Sequence, residues 1–118
     1  MGSRLLLTVI ARRPDYADVS NTAFLVLLRM AGTALDHNGP TRPDGPATPA
    51  RHYFGGWKPL APYACPRHKD PGPDRDLTPA AKQAVARAVR ELTTCGLICP
   101  ADPEIQSWFG HRCYEIRV

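Results

Sequence analysis

The stretch Leu77-Thr78-Pro79-Ala80-Ala81-Lys82-Gln83-Ala84-Val85-Ala86-Arg87-Ala88-Val89-Arg90-Glu91-Leu92-Thr93-Thr94-Cys95-Gly96-Leu97-Ile98 carries the clearest pattern in this 118-residue sequence. Thr78 is a good N-cap, Pro79 suits the first helical position and Gly96 is a stop signal, so the spacing predicts a helix over Pro79–Cys95. Ala81, Ala84, Val85, Ala88, Val89, Leu92 and Cys95 fall on one apolar stripe, with Lys82, Gln83, Arg87, Arg90 and Thr94 on the other side. Beyond it, Leu97–Ala101 reads as a strand. Asp102–Gly110, which contains Pro103 and Gly110, reads as a loop, and His111–Val118 as the returning strand of a hairpin.

Working towards the N-terminus, Cys65 to Leu77 is a polar loop containing Arg67-His68-Lys69-Asp70. Trp57–Ala64 reads as a brief helix with Trp57, Leu60 and Tyr63 three apart, and Pro59 is tolerable in its first turn. Arg51–Gly56, ending in Gly55-Gly56, reads as a short buried strand or connector. Between 36 and 50, Pro40, Pro43, Pro46 and Pro49 recur at the polyproline II period, which predicts an extended surface loop. Ser20-Asn21 caps a first long helix over Thr22–Asp36 whose sides are nearly all apolar, the mark of a central helix with surplus for a dimer interface. Arg4–Ala11 is an apolar run read as a strand or an arm, so residues 1–19 are set apart from a domain over 20–118.

Composition fits one domain. Hydrophobic residues make up 43% and charged residues 22%, ordinary globular usage, while 13 prolines and 9 glycines require long irregular connections. Fifteen Lys+Arg against eleven Asp+Glu give a net charge of +4. The surplus of three in residues 51–118, ten basic against seven acidic, suits an anionic partner. Neither Leu5–Ala11 nor Ala23–Leu35 has the length and flanks of a signal core or a membrane span. The expected setting is therefore cytoplasmic, with no membrane partner and the four cysteines as reduced thiols.

The order helix, short strand, helix, helix, hairpin resembles an α+β winged helix-turn-helix domain with three main helices and a C-terminal β-hairpin wing. The resemblance covers about Ser20–Val118. It is carried by the helix Thr22–Asp36, by Tyr53-Phe54-Gly55-Gly56-Trp57 leading into a short helix, and by Ala84–Leu92 ending in Cys95-Gly96-Leu97-Ile98. The chain is similar to small actinobacterial, phage and mobile-element winged-helix proteins. One departure is the connection between the second and third helices, where about thirteen residues separate Ala64 from Thr78, against 3–4 in a tight helix-turn-helix.

The resemblance implies sequence-specific binding of double-stranded DNA by a homodimer, associated with the nucleoid, in transcriptional regulation or in replication or excision of a mobile element. A major groove ~12 Å wide admits one helix, and Lys82, Gln83, Arg87 and Arg90 are the side chains that Pro79–Cys95 would present. Arginine can bond guanine twice, glutamine adenine, and lysine a base or a phosphate. Arg112 and Arg117 could reach backbone phosphates from the wing, and Arg4, Arg12 and Arg13 could form a basic arm. Asp102, Glu104 and the apolar Ile105, Trp108 and Phe109 make the wing tip better suited to packing on the domain body or on a protein. The alternative is accordingly a small protein-interaction module, a phage-type inhibitor or adaptor on the same fold.

Metal and catalytic readings are weaker. Cys65-x2-His68, Cys95-x3-Cys99 and His111-x-Cys113 offer zinc ligands, but none repeats a paired CxxC spacing, and no cofactor is expected. Cys65 and His68 could be a nucleophile and a base, but the loop supplies no oxyanion site or orienting group, and no glycine-rich phosphate loop or carboxylate cluster is present. The expectation is a protein that is not an enzyme.

Overall fold

A computed structural model describes residues 3–36, 39, 47–110 and 112–118. Among them the helices are α1 (Ser3–Ala11), α2 (Asn21–Thr33), α3 (Ala61–Ala64), α4 (Pro79–Thr94) and α5 (Pro103–Phe109). The strands are β1 (His52–Tyr53), β2 (Ile98–Pro100) and β3 (Tyr114–Ile116), joined in one antiparallel sheet of order β1-β3-β2. His52 faces Glu115, and Cys99 faces Glu115 from the other side. The class is α+β, with a small three-stranded sheet against a helical layer.

Local signals explain the central helices. The Thr78 hydroxyl accepts the Ala81 N–H at 3.3 Å, Pro79 occupies the first turn, and Ala81, Val85, Ala88, Val89 and Leu92 are buried. At the other end the Leu97 N–H donates to Leu92 O at 3.0 Å and the Gly96 N–H to Thr93 O at 3.1 Å. That is a Schellman stop, with Gly96 at φ +76°, and it turns the chain directly into β2. In α2, Ser20 Oγ accepts the Ala23 N–H at 3.1 Å. Val26, Leu27 and Met30 of α2 meet Leu60, Val85, Leu92, Tyr53, Ile98 and Ile116 in one fully buried core. The helices α2, α3 and α4 each pack against the other two, and α1 packs on α2.

Several expectations are corrected. The run read as a strand or arm is helix α1, with Leu5 and Val9 buried and Leu7 and Ile10 exposed. That is the helical period rather than the alternation of a strand. Its first turn is completed by Asp36, whose carboxylate accepts the N–H groups of Arg4 at 3.2 Å and Leu5 at 2.9 Å from 31–32 positions away. Local sequence contains no trace of this cap. The loop expected over Asp102–Gly110 is α5, because Pro103 is an N-terminal-turn proline and Gly110, at φ +107°, ends the helix. The two breakers bound an element instead of preventing one. The expected ribbon wing is therefore a short hairpin whose connection carries a helix.

Smaller differences follow the same logic. Trp57–Ala64 divides into a 3-10 turn (Lys58–Leu60) and α3. Cys95, expected on the buried stripe, is the exposed C-cap of α4. The returning strand is confined to β3. The polyproline-type loop lies largely outside the described residues.

Candidate nucleic-acid interface

The side of α4 turned away from the core carries Gln83, Arg87 and Arg90, all exposed. Spaced by four and three, they stand in one row. No part of the described chain covers them. Lys82, one position before the row, is half-buried and ion-paired with Asp76. The Asp76 carboxyl is held below the ordinary aspartate range, first by the hydrogen bond from Lys82 and then by the Leu77 N–H at 2.8 Å. Desolvation opposes this, and weaker attraction from Lys82 and Arg112 adds to it.

Arg112 is exposed, and its guanidinium lies 4.2 Å from the centroid of the Trp57 ring. Trp57 is fixed in turn by its indole N–H, which donates to the Tyr114 hydroxyl at 2.9 Å. Through this stack Arg112, just before β3, stands within electrostatic reach of Asp76 at the first turn of α4. The structure therefore gathers Lys82 and Arg112 around one carboxylate on the β3 side of α4, and leaves Gln83, Arg87 and Arg90 on its outer side.

On its other flank Arg87 lines a cleft of about 290 Å³ with Ser20, Thr22, Ala64, Ala84 and Glu91. Glu91 does not offset the row freely, since its Oε2 accepts the Ser20 N–H at 2.7 Å.

Two of the basic-arm residues have other work. Arg13 donates to Tyr16 O at 2.7 Å, Val19 O at 3.3 Å and Asn21 Oδ1 at 3.1 Å, and stacks 4.5 Å from the Phe24 ring. It locks the turn between α1 and α2. Arg12 faces Asp15 at 3.6 Å, and Arg117 is held by Glu115 at 3.0 Å. Of the apolar trio expected at the wing tip, Phe109 packs on Phe54 with centroids 4.5 Å apart, while Trp108 remains 46% exposed.

Sequence reading missed Trp57 and Asp76 as organisers of this surface. An acidic residue just ahead of a helix start was a usable signal for Asp76. The Trp57–Arg112 stack joins two distant segments and left no local sign. Cys65, Cys95, Cys99 and Cys113 are free thiols, and burial pushes the Cys113 pKa up. Among the described residues no three His, Cys, Asp or Glu side chains are placed to hold a metal ion, and His111 lies outside them. No described helix is long and apolar enough to cross a membrane. Compared with protein-family models, curated proteins and solved structures, the chain finds no significant match.

Proposed function

We propose that this chain is a winged helix-turn-helix protein that binds double-stranded DNA with sequence preference, as a transcriptional regulator or as an accessory to replication or excision of a mobile element. The observation that carries this is the uncovered row Gln83, Arg87 and Arg90 on a helix whose opposite face is packed in the core. The three mutually packed helices followed by β2 and β3, with β1 on the far edge of β3, are compatible with that fold. In this reading α4 enters the major groove, Gln83, Arg87 and Arg90 meet base edges, Arg112 meets phosphate, and Lys82 stands beside the backbone, held by Asp76. Because α5 replaces a ribbon wing, the backbone contact falls to Arg112 at its foot.

In this reading the second subunit packs on α1. Leu7 and Ile10 are 65% and 51% exposed one turn apart, and Leu25 of α2 is 45% exposed. A homodimer burying these side chains sets two α4 helices against half-sites about one helical turn apart. Such a protein works in the cytoplasm, on the nucleoid.

The test is the affinity of Arg87→Ala and Gln83→Ala for DNA upstream of the protein's own gene, at modest salt. Each is expected to lose about tenfold or more, with a salt slope set by the phosphate contacts. Unchanged binding by both variants overturns the assignment of α4. The rival, a protein-interaction module, is favoured by the exposed Trp108 and Tyr63. It gains if random and native DNA both fail to bind even at low salt.

A further inference from the structure

On α2, Arg29 lines a cleft of about 400 Å³ together with Lys58 from the turn before α3, Tyr63 from α3, and His68 and Asp70 from the loop beyond it. Two nitrogens here are unusual. Arg29 Nε and His68 Nδ1 are both buried, and neither has a hydrogen-bond partner. Buried polar groups are nearly always paired, and an orphan calls for a water, an ion or a ligand that completes it. Both belong to part-buried side chains that line the same cleft.

The cleft carries an excess of positive charge, with Arg29 and Lys58 against the one carboxylate among its lining residues, Asp70. Lys58 Nζ donates to the carbonyls of Gly72 and Arg75, which position the ammonium without cancelling its charge and leave it a third proton. Asp70 Oδ1 accepts the Gly72 N–H at 2.9 Å. Among the described residues, no carboxylate lies within ion-pair distance of Arg29, Lys58 or His68. The Tyr53 hydroxyl is within electrostatic reach of Arg29, but burial pushes its pKa to about 12 and its proton is given to Gly56 O at 2.7 Å. It supplies no anion. Arg67 and Lys69 flank His68 on the exposed loop and add to the field.

We propose that this cleft binds a phosphate group, held by the guanidinium of Arg29 and the ring of His68 with Lys58 as a supporting charge. A tetrahedral oxyanion offers several acceptor oxygens to a guanidinium, and hydrogen phosphate also carries an O–H for an unprotonated imidazole nitrogen. The group comes either from a small phosphorylated molecule or from a nucleic-acid backbone. Arg29 lies seven residues from Thr22, on the same side of α2, about 10 Å along the axis, and Thr22 lines the cleft beside Arg87. A duplex on α4 is therefore one candidate source, though the site does not depend on it.

The experiment titrates the whole protein with inorganic phosphate against chloride, at constant pH and ionic strength, following the unfolding temperature and amide NMR shifts. Wild type is expected to show a saturable rise in unfolding temperature and shifts at the Gly72 amide. Arg29→Gln and His68→Asn are each expected to weaken the apparent affinity at least tenfold, and Arg87→Ala to leave it unchanged. No saturable response in wild type, or an equal response in both variants, overturns the proposal. If Arg29→Gln does not fold, His68→Asn decides alone. Duplex binding by the folded variants then separates the sources: unchanged affinity assigns a small phosphorylated molecule, and a parallel loss assigns the backbone.

Discussion

Glu91 Oε2 accepts the backbone N–H of Ser20 at 2.7 Å, so a carboxylate near the end of α4 closes the start of α2 across 71 positions of sequence. In a capping box an acid three residues after the N-cap makes this bond. Here that position is Ala23, buried against the core, and Glu91 supplies the missing acceptor from a neighbouring helix. The contact ties the candidate interface helix to the central one.

Glu91→Ala is therefore expected to destabilise the protein by about 1 kcal/mol, the usual worth of such a bond. Glu91→Gln should cost less, since an amide oxygen still accepts. Urea unfolding reads this as a lower midpoint with an unchanged slope. An Ala variant as stable as wild type would show that water replaces the carboxylate without penalty.

The Lys82–Asp76 pair gives a second test, in which stability and binding move in opposite directions. A lowered carboxyl pKa means that the pair's contribution to stability is present above the ordinary aspartate value of ~3.9 and is lost as pH falls through the lower, folded value. Asp76→Asn removes that part of the acid limb. It also releases Lys82 and takes a negative charge from beside Arg112, so DNA affinity should rise, and the salt dependence should steepen by about one phosphate contact if Lys82 then reaches the backbone. Weaker binding by Asp76→Asn would mean that the carboxylate positions Lys82 rather than restraining it.

How much of this was legible in the sequence differs by element, for physical reasons. The signals for α4 are local: Thr78, Pro79, the apolar period and Gly96 all lie within or beside the helix, and its bounds follow from them. The cap of α1 is Asp36, and the N–H of Ser20 is met by Glu91, so both helix starts depend on partners that no window along the chain contains. For α5 the evidence was local but ambiguous, because proline and glycine mark helix ends as readily as loops. At the candidate interface, Gln83, Arg87 and Arg90 could be assigned to the solvent side by period alone. The Trp57 platform under Arg112 and the convergence of Arg29 with His68 arise from packing between distant segments.

Gly55 tests the packing around the most buried aromatic. A Cβ at Gly55 would lie 2.5 Å from the Tyr53 hydroxyl oxygen and 2.8 Å from Cζ, closer than any real side chain approaches. Gly55→Ala must therefore push the phenol off Gly56 O and out of the core, at a cost of about 1–3 kcal/mol. Adding Tyr53→Phe should not restore stability, because ring carbons at 2.8 and 2.9 Å still collide. The same displacement has a signature in alkali. In the native protein burial raises the Tyr53 pKa to about 12, so the stability this gives is complete below the unfolded value of ~10 and is lost as pH rises towards the folded one. In Gly55→Ala the phenol meets water and should titrate near the ordinary tyrosine value, which ultraviolet absorbance at alkaline pH would record as one fewer late-ionising tyrosine. An unchanged titration curve with unchanged stability would mean that the backbone at Gly55 yields instead of the ring.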